Sequence, residues 1–237
     1  MSKLKLFCFP HAGGSATSYY RWNSLLEDVD VIPVELAGRG LRAGESFYGN
    51  FSNMVEDTYK VVKDKANDGP YAFFGHSMGS WLGYELAHKL IQNGYPSPSH
   101  IVVSARRAPH CEYDIERNFG SLTRKELIEQ VLSLGGTPPE LFENEQLLNH
   151  FLTIIEHDFK VISDYTYHNK ETLLECGITV MAGKQDIHVS TKDLLAWKRH
   201  TTGFCKVLTL EGGHFYLNEN EEVFLKILSD SLTVKAI

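Results

Sequence analysis

The sequence predicts an α/β fold: a mostly parallel sheet flanked by helices, carrying a helical lid insertion. Three observations point there. Short β-rich apolar runs alternate with longer helical patterns along the 237 residues. The runs read as near-continuously apolar, the pattern of parallel strands covered on both faces. One stretch, approximately 121–170, holds no strand-like run and is too long for an ordinary connection.

The expected strands are Leu4–Phe9, Val29–Val34, Tyr71–Phe74, Ile101–Ser104, Ile178–Ala182 and Lys206–Leu210. The expected helices of the core are Tyr19–Leu26, Phe51–Lys65, Met78–Asn93, Thr191–Arg199 and Glu221–Leu232. In the third of these, Met78, Trp81, Leu82, Leu86 and Leu90 recur at three-to-four spacing, so one face packs on the sheet. Gly94 and Pro96 end it. Inside the insertion, Thr123-Arg-Lys-Glu126 is a capping box that opens an amphipathic helix bearing Leu127, Val131 and Leu134. Gly135-Gly-Thr-Pro-Pro139 is a turn, and helical pattern resumes over Glu145–Ile155 and Phe159–Tyr167. No repeat or low-complexity linker divides the chain. Residues 1–237 therefore read as one domain with a lid subdomain at about 121–170.

Composition narrows the function classes. Twenty-three basic against 30 acidic residues give a net charge of −7, which excludes nucleic acid and membrane surfaces as partners of the whole chain. The N-terminal apolar stretch stops at Pro10, too short for a signal peptide, and no run approaches the roughly 18 apolar residues of a membrane span. Cys8, Cys111, Cys176 and Cys205 are far apart and read as free thiols of a cytoplasmic protein. The 11 histidines include no H-E-x-x-H, so no metal site is expected.

The chemistry concentrates at strand ends. Gly75-His-Ser-Met-Gly79 fits G-x-S-x-G and stands directly between a strand and a helix. In that setting the serine sits on a strained turn with its hydroxyl projecting from the sheet edge. Ser77 is therefore the candidate nucleophile. A serine needs a base and an orienting acid, in the chain order Ser, Asp/Glu, His. Asp186 follows the strand Ile178–Ala182, and His214 follows Lys206–Leu210 after Gly212-Gly213. Glu211, Asp193 and Asp164 are the rivals of Asp186. An oxyanion hole needs two N–H donors. Met78, the residue after the nucleophile, supplies one, and Ala12 in the glycine-rich loop after the first strand supplies the other, with His11 as its rival. The loop lacks G-K-[ST] and G-x-G-x-x-G, so a phosphate-binding reading is disfavoured.

At these residues the chain resembles the type II thioesterases, the free-standing editing enzymes of nonribosomal peptide and polyketide synthesis, within the α/β-hydrolase superfamily. The resemblance is carried, in order, by Phe9-Pro-His-Ala-Gly-Gly14, Glu35-Leu-Ala-Gly-Arg-Gly40, Gly75-His-Ser-Met-Gly79, Ser104-Ala-Arg-Arg-Ala-Pro109, Leu134-Gly-Gly-Thr-Pro-Pro-Glu140 and Gly212-Gly-His-Phe215. It covers nearly the whole chain. Ala37 stands where the family often has proline, and Ser80 where a small residue such as alanine is usual. The resemblance implies a serine thioesterase with Ser77, Asp186 and His214 as triad and no cofactor. It also implies a substrate, an acyl or aminoacyl thioester on the phosphopantetheine of an acyl or peptidyl carrier protein. The other readings are a medium-chain fatty-acyl thioesterase, a carboxylesterase, or a non-catalytic binding protein of the same fold.

An acidic carrier needs a basic dock, and Arg106, Arg107, Arg117, Arg124 and Lys125 lie near the post-strand loop and lid entrance. A solvated basic face is the competing reading, and Arg39 and Arg42 are equally ambiguous. Trp22, Phe119, Phe151, Phe159 and Met181 are candidates to line an acyl chamber, with core packing as their alternative. The protein is expected to act as a monomer.

Overall fold

A computed structural model describes residues 3–111, 116, 118–137 and 140–233. Six strands form a single sheet in the order β2-β1-β3-β4-β5-β6, every neighbouring pair parallel. In chain order the elements are β1 (Leu4–Phe9), β2 (Val29–Pro33), α1 (Phe51–Asn67), β3 (Tyr71–His76), α2 (Met78–Gln92) and β4 (His100–Ser104). There follow α3 (Arg124–Leu134), α4 (Glu140–Glu143), α5 (Glu145–Ser163), β5 (Gly177–Gly183), α6 (Thr191–Leu195), β6 (Cys205–Leu210), α7 (Tyr216–Glu219) and α8 (Glu221–Thr233). The predicted strands and the mostly parallel sheet are thus observed, with ends shifted by a residue or two.

Both sheet faces are covered, and side chains alternate between them. Phe7, Phe9, Phe73, Ile101, Val103, Ile178 and Val180 pack with α1, α2 and α5. Leu6, Cys8, Ala72, Phe74, Val102 and Met181 pack with Trp22, Phe224 and Leu228 on the other side. Trp22 and Met181 are therefore core residues beneath the sheet, away from any acyl chamber. All four cysteines are free thiols. No helix among the described residues is long and apolar enough to cross a membrane.

Three expectations are corrected. The first helix is a 3-10 helix, Ala16–Ser24, rather than an α-helix over Tyr19–Leu26. Its buried residues Ala16, Tyr19 and Trp22 recur every third position, the period of a 3-10 turn, and Ser15 caps it through Thr17 N–H. Second, Thr191–Arg199 divides into α6 and a 3-10 segment, Ala196–His200. Third, the helical patterns of Glu145–Ile155 and Phe159–Tyr167 belong to one helix, which ends at Ser163. The helix α5 runs through because Asp158, on its buried face, finds an ionic partner in Arg39.

Between β4 and β5 the elements of the described chain are helices, joined to the sheet by irregular segments at 105–111 and 164–176. The capping box of Thr123 and Glu126 opens α3, both reciprocal bonds being made. The turn's Pro138 and Pro139, and Arg117, lie outside the described residues.

Register brings the strand ends level. Phe9 pairs with Gly75, His76 with Ser104, Ser104 with Met181, and Gly183 with Leu210. The loops after β1, β3, β4, β5 and β6 consequently leave the same edge of the sheet, where open α/β folds build their sites.

Candidate active site

The turn from β3 into α2 is a tight backbone passage. A Cβ on Gly75 would lie 2.2 Å from Gly79 O, and one on Gly79 would lie 2.2 Å from Phe9 O. Only glycine fits at either position, so α2 starts pressed against both β3 and β1. Ser77 is left at φ 53°, ψ −118°, a conformation costing a non-glycine residue about 1–3 kcal/mol. Its own N–H is anchored on Ser104 O at 2.8 Å. Met78 is the first residue of α2, and first-turn amides have no acceptor within their helix.

Asp186 and His214 sit on the loops after β5 and β6, and these loops are zipped together. A Cβ on Gly183 would meet Gly213 O at 2.1 Å and Gly212 O at 2.2 Å. Lys184 N–H donates to Leu210 O at 2.8 Å, and Gln185 N–H to Gly212 O at 3.0 Å. The result places His214 Nδ1 2.8 Å from Asp186 Oδ2, with both residues buried. The second oxygen, Oδ1, accepts His188 N–H at 2.9 Å. This carboxylate fixes the imidazole with Nδ1 inward and Nε2 free to face outward. The rivals of Asp186 are employed elsewhere. Glu211 pairs with Lys184 and Gln185, Asp193 caps α6 through Ser190, and Asp164 follows the end of α5.

Ser77, His214 and Ala12 line one cavity of about 40 Å³, together with Phe119, Leu134, Phe159 and Phe215. Phe119 and Phe159 stack at 4.4 Å and form part of its apolar wall. Phe151 packs instead beneath the β1 loop, near Gly13. Three further imidazoles surround His214. Burial, then proximity to His214 and to Arg39, pushes His11 down to about 3. Burial holds His76 well below its usual value and lowers His188 as well. These rings stay neutral near pH 7 and add no competing cation. His76 Nδ1 is further fixed by Ser104 Oγ at 2.9 Å, which in turn meets Tyr216 OH at 2.7 Å.

Arg106 and Arg107 are where the docking expectation fails. Both are buried, 5% and 2% exposed, and both line the cavity beside Ser77. The Arg106 guanidinium lies 3.4 Å from the Trp81 ring centroid and forks onto Glu116 at 2.7 and 3.0 Å. Arg107 donates to His188 O at 2.7 Å. Side chains spent inward cannot present a surface to a partner. Arg124 and Lys125 do lie outside on α3; Arg124 reaches Asn149, and the Lys125 side chain is 86% exposed. Arg39 is buried on Asp158, whereas Arg42 spans Glu45 and Asp57 near the surface.

Several cavity residues were not singled out by the sequence: His188, Gln130, Phe215 and Ala105. Ala105 shares with Ser77 a positive φ, 51°. Its place after a strand end was the available signal, but alanine carries none of the marks by which such a backbone is recognised.

Comparison with known proteins agrees with this geometry. The thioesterase domain family matches residues 4–232. A Brevibacillus parabrevis protein named linear gramicidin dehydrogenase LgrE is 35% identical, over 98% of this chain and 88% of its own length. The medium-chain S-acyl fatty acid synthase thioesterase of Anas platyrhynchos is 32% identical, over 95% of this chain and 90% of its own. The structure of the type II thioesterase BorB from the borrelidin biosynthetic cluster superposes with a TM-score of 0.86 at 32% identity, covering 98% of this chain and 93% of that one. A seryl turn, a histidine–aspartate pair and a family match over almost every residue lead to one assignment: the chain belongs to the thioesterase domain family.

Proposed function

We propose that this protein is an editing serine thioesterase, hydrolysing acyl and aminoacyl thioesters on the phosphopantetheine arm of carrier proteins in nonribosomal peptide or polyketide synthesis. The observation that carries the reading is the 2.8 Å His214–Asp186 bond beside a strained Ser77 on the same cavity. His214 Nε2 takes the Ser77 proton as Oγ adds to the thioester carbonyl. Met78 and Ala12 N–H groups receive the oxyanion. The C–S bond breaks, the proton passes from His214 to the pantetheine sulfur, and an acyl-serine remains. Water, deprotonated by the same imidazole, then releases the acid and restores Ser77. No cofactor enters this cycle.

The helical insertion at about 121–170 serves as the lid, since α3 and α5 both contribute walls to the cavity. Arg124 and Lys125 on its outer surface are the basic groups placed to meet an acidic carrier. Free thiols and a net charge of −7 fit a monomeric cytoplasmic enzyme that avoids nucleic acid and membranes.

The second reading, a medium-chain fatty-acyl thioesterase, is favoured by the duck relative. A dehydrogenase, as in the printed name of LgrE, would need a dinucleotide site, whereas the loop after β1 reads Pro10-His-Ala-Gly-Gly14 without G-x-G-x-x-G.

The test is turnover of acyl chains from two to twelve carbons on a carrier protein, on free pantetheine and on p-nitrophenyl esters. Short acyl-carrier thioesters should lead. Preference for the nitrophenyl esters would make the protein a carboxylesterase, and a maximum at eight to twelve carbons would assign it to fatty-acid release. A wild-type protein that a fluorophosphonate fails to label would contradict the serine mechanism.

A further inference from the structure

The Asp158 side chain of α5 lies 145 residues from Gly13 in sequence, yet its Oδ2 accepts the Gly13 N–H at 2.8 Å. Gly13 follows Ala12, the residue to which the Proposed function gives an oxyanion donor. The same carboxylate is forked by Arg39, with Nη1 to Oδ2 at 2.5 Å and Nη2 to Oδ1 at 2.6 Å. Arg39 Nη1 also donates to Gly14 O at 3.2 Å. Both charged side chains are 2% exposed. Helix α5 thus meets the loop after β1 with one face. Phe151, Ile155 and Asp158 recur at four- and three-residue spacing, and a Cβ on Gly13 would touch Phe151 at 3.1 Å and Ile155 at 3.3 Å. Gly13 itself is at φ +78°, so its backbone is set by what surrounds it rather than by its own preference.

A carboxylate this deeply buried, with its oxygens committed to a guanidinium and one backbone N–H, is fixed in position. That matters for chemistry because the Gly13 N–H belongs to the peptide that follows Ala12. Holding that peptide sets ψ at Ala12 and the course of the chain carrying the Ala12 N–H. We propose that Asp158, locked by Arg39, is a positioning residue that aims the oxyanion-hole donor of the β1 loop. The insertion then does more than cover the site: one of its helices holds half of the oxyanion hole in shape. This inference rests on the Ser77 mechanism above, and it assigns Asp158 no contact with substrate.

The test removes the buried charge pair as a unit, so that no unpaired ion is left to unfold the protein. In Arg39→Met/Asp158→Leu the Gly13 N–H loses its acceptor. In Arg39→Met/Asp158→Asn the amide oxygen can still accept it. Fluorophosphonate labelling and turnover of the wild type are established first, so failure of the serine mechanism is recognised separately. With a short acyl-pantetheine thioester, the leucine double should lose about 10- to 100-fold in kcat, with KM within about twofold. The asparagine double should return to within about threefold of wild type. A boronic acid that forms a tetrahedral adduct on Ser77 should weaken in parallel with kcat, because it too requires the donor. Should the leucine double not fold, Arg39→Met/Asp158→Ala is read in its place. Equal kcat values for the acceptor-keeping and acceptor-lacking doubles, at any level, would overturn the proposal. So would a loss confined to KM.

Discussion

The two long helices of the insertion are built to different standards. Helix α5 buries six apolar residues, Leu152, Ile154, Ile155, Phe159, Val161 and Ile162, and adds the ion pair of Asp158 with Arg39. Helix α3 buries two, Leu127 and Val131, and leaves Leu132 on the surface. At about 1.5–3 kcal/mol for each buried side chain, the first arm is held several kcal/mol more firmly than the second. Beyond α3 the chain turns through Gly135 and Gly136, at φ 75° and 74°. Local opening starts where burial is least, so the insertion divides into a firmly packed half joined to the β1 loop and a looser half that lines the cavity through Gln130 and Leu134. Access to the site and alignment of the site can then be tuned separately.

The contrast can be broken most severely at what both halves surround. Ser77→Ala should lower kcat by about 10⁴-fold or more, while thermal stability changes little, since alanine keeps the Cβ that strains this turn. Activity within tenfold of wild type would remove the reason for either arm.

The firmly packed half is tested by Asp158→Ala. It leaves Arg39 charged and alone, a loss of about 3–5 kcal/mol. In a chain of this size that is a drop in Tm of roughly 6–20 °C, readable by calorimetry. Leu127→Ala in the loose half should cost about 1–2 kcal/mol, because the arm can open without unfolding the core. Equal losses for the two variants would erase the distinction between the arms.

The outer surface of the loose half comes next. Charge reversal at Arg124 and Lys125 should raise KM for an acyl-carrier protein about three- to tenfold, and leave KM for the free pantetheine thioester unchanged. Equal shifts on both substrates would remove α3 from carrier docking.

The last effect comes from outside the insertion. His88, His100 and His200 are buried in the core, and burial lowers them to about 4, 4 and 3 respectively. Unfolding returns each to an ordinary imidazole near 6.5, so between roughly pH 6.5 and 4 the unfolded chain binds more protons. Their contribution is fully present above about pH 6.5 and is lost as pH falls toward these folded values. The slope is about 1.4 kcal/mol per pH unit for each ring. His100→Gln, which can keep the bond to Thr179 Oγ1, should flatten the decline of Tm with acid. An unchanged slope would clear His100 of this role.

What the sequence made legible was local. Strands showed because both faces are covered, and the Thr123–Glu126 capping box marked the start of α3 to the residue. Gly75, Gly79 and the strand–helix junction marked Ser77. Asp186 and His214, which the structure brings within 2.8 Å, were singled out because fold logic looks for an acid and a base at successive strand ends. The failures were long-range. Arg39 and Asp158 are 119 residues apart, and nothing near either predicts the other. Asp158, which falls between the two helical patterns read at Glu145–Ile155 and Phe159–Tyr167, is a buried ionic anchor. Arg106 and Arg107 looked like a surface patch because charge alone does not reveal which way a loop faces. Their burial depends on Trp81 and Glu116, which only the fold brings alongside.

The joined loops after β5 and β6 carry a consequence for how such an enzyme can change. Because Gly183 lies against Gly212 and Gly213 with no room for a Cβ, the segments bearing Asp186 and His214 form one mechanical part. A length change in either segment would move both ends of the His214–Asp186 bond. Grafting one from a relative without the other should give a folded but inert protein, whereas exchanging the two together should carry the base and its orientation across intact.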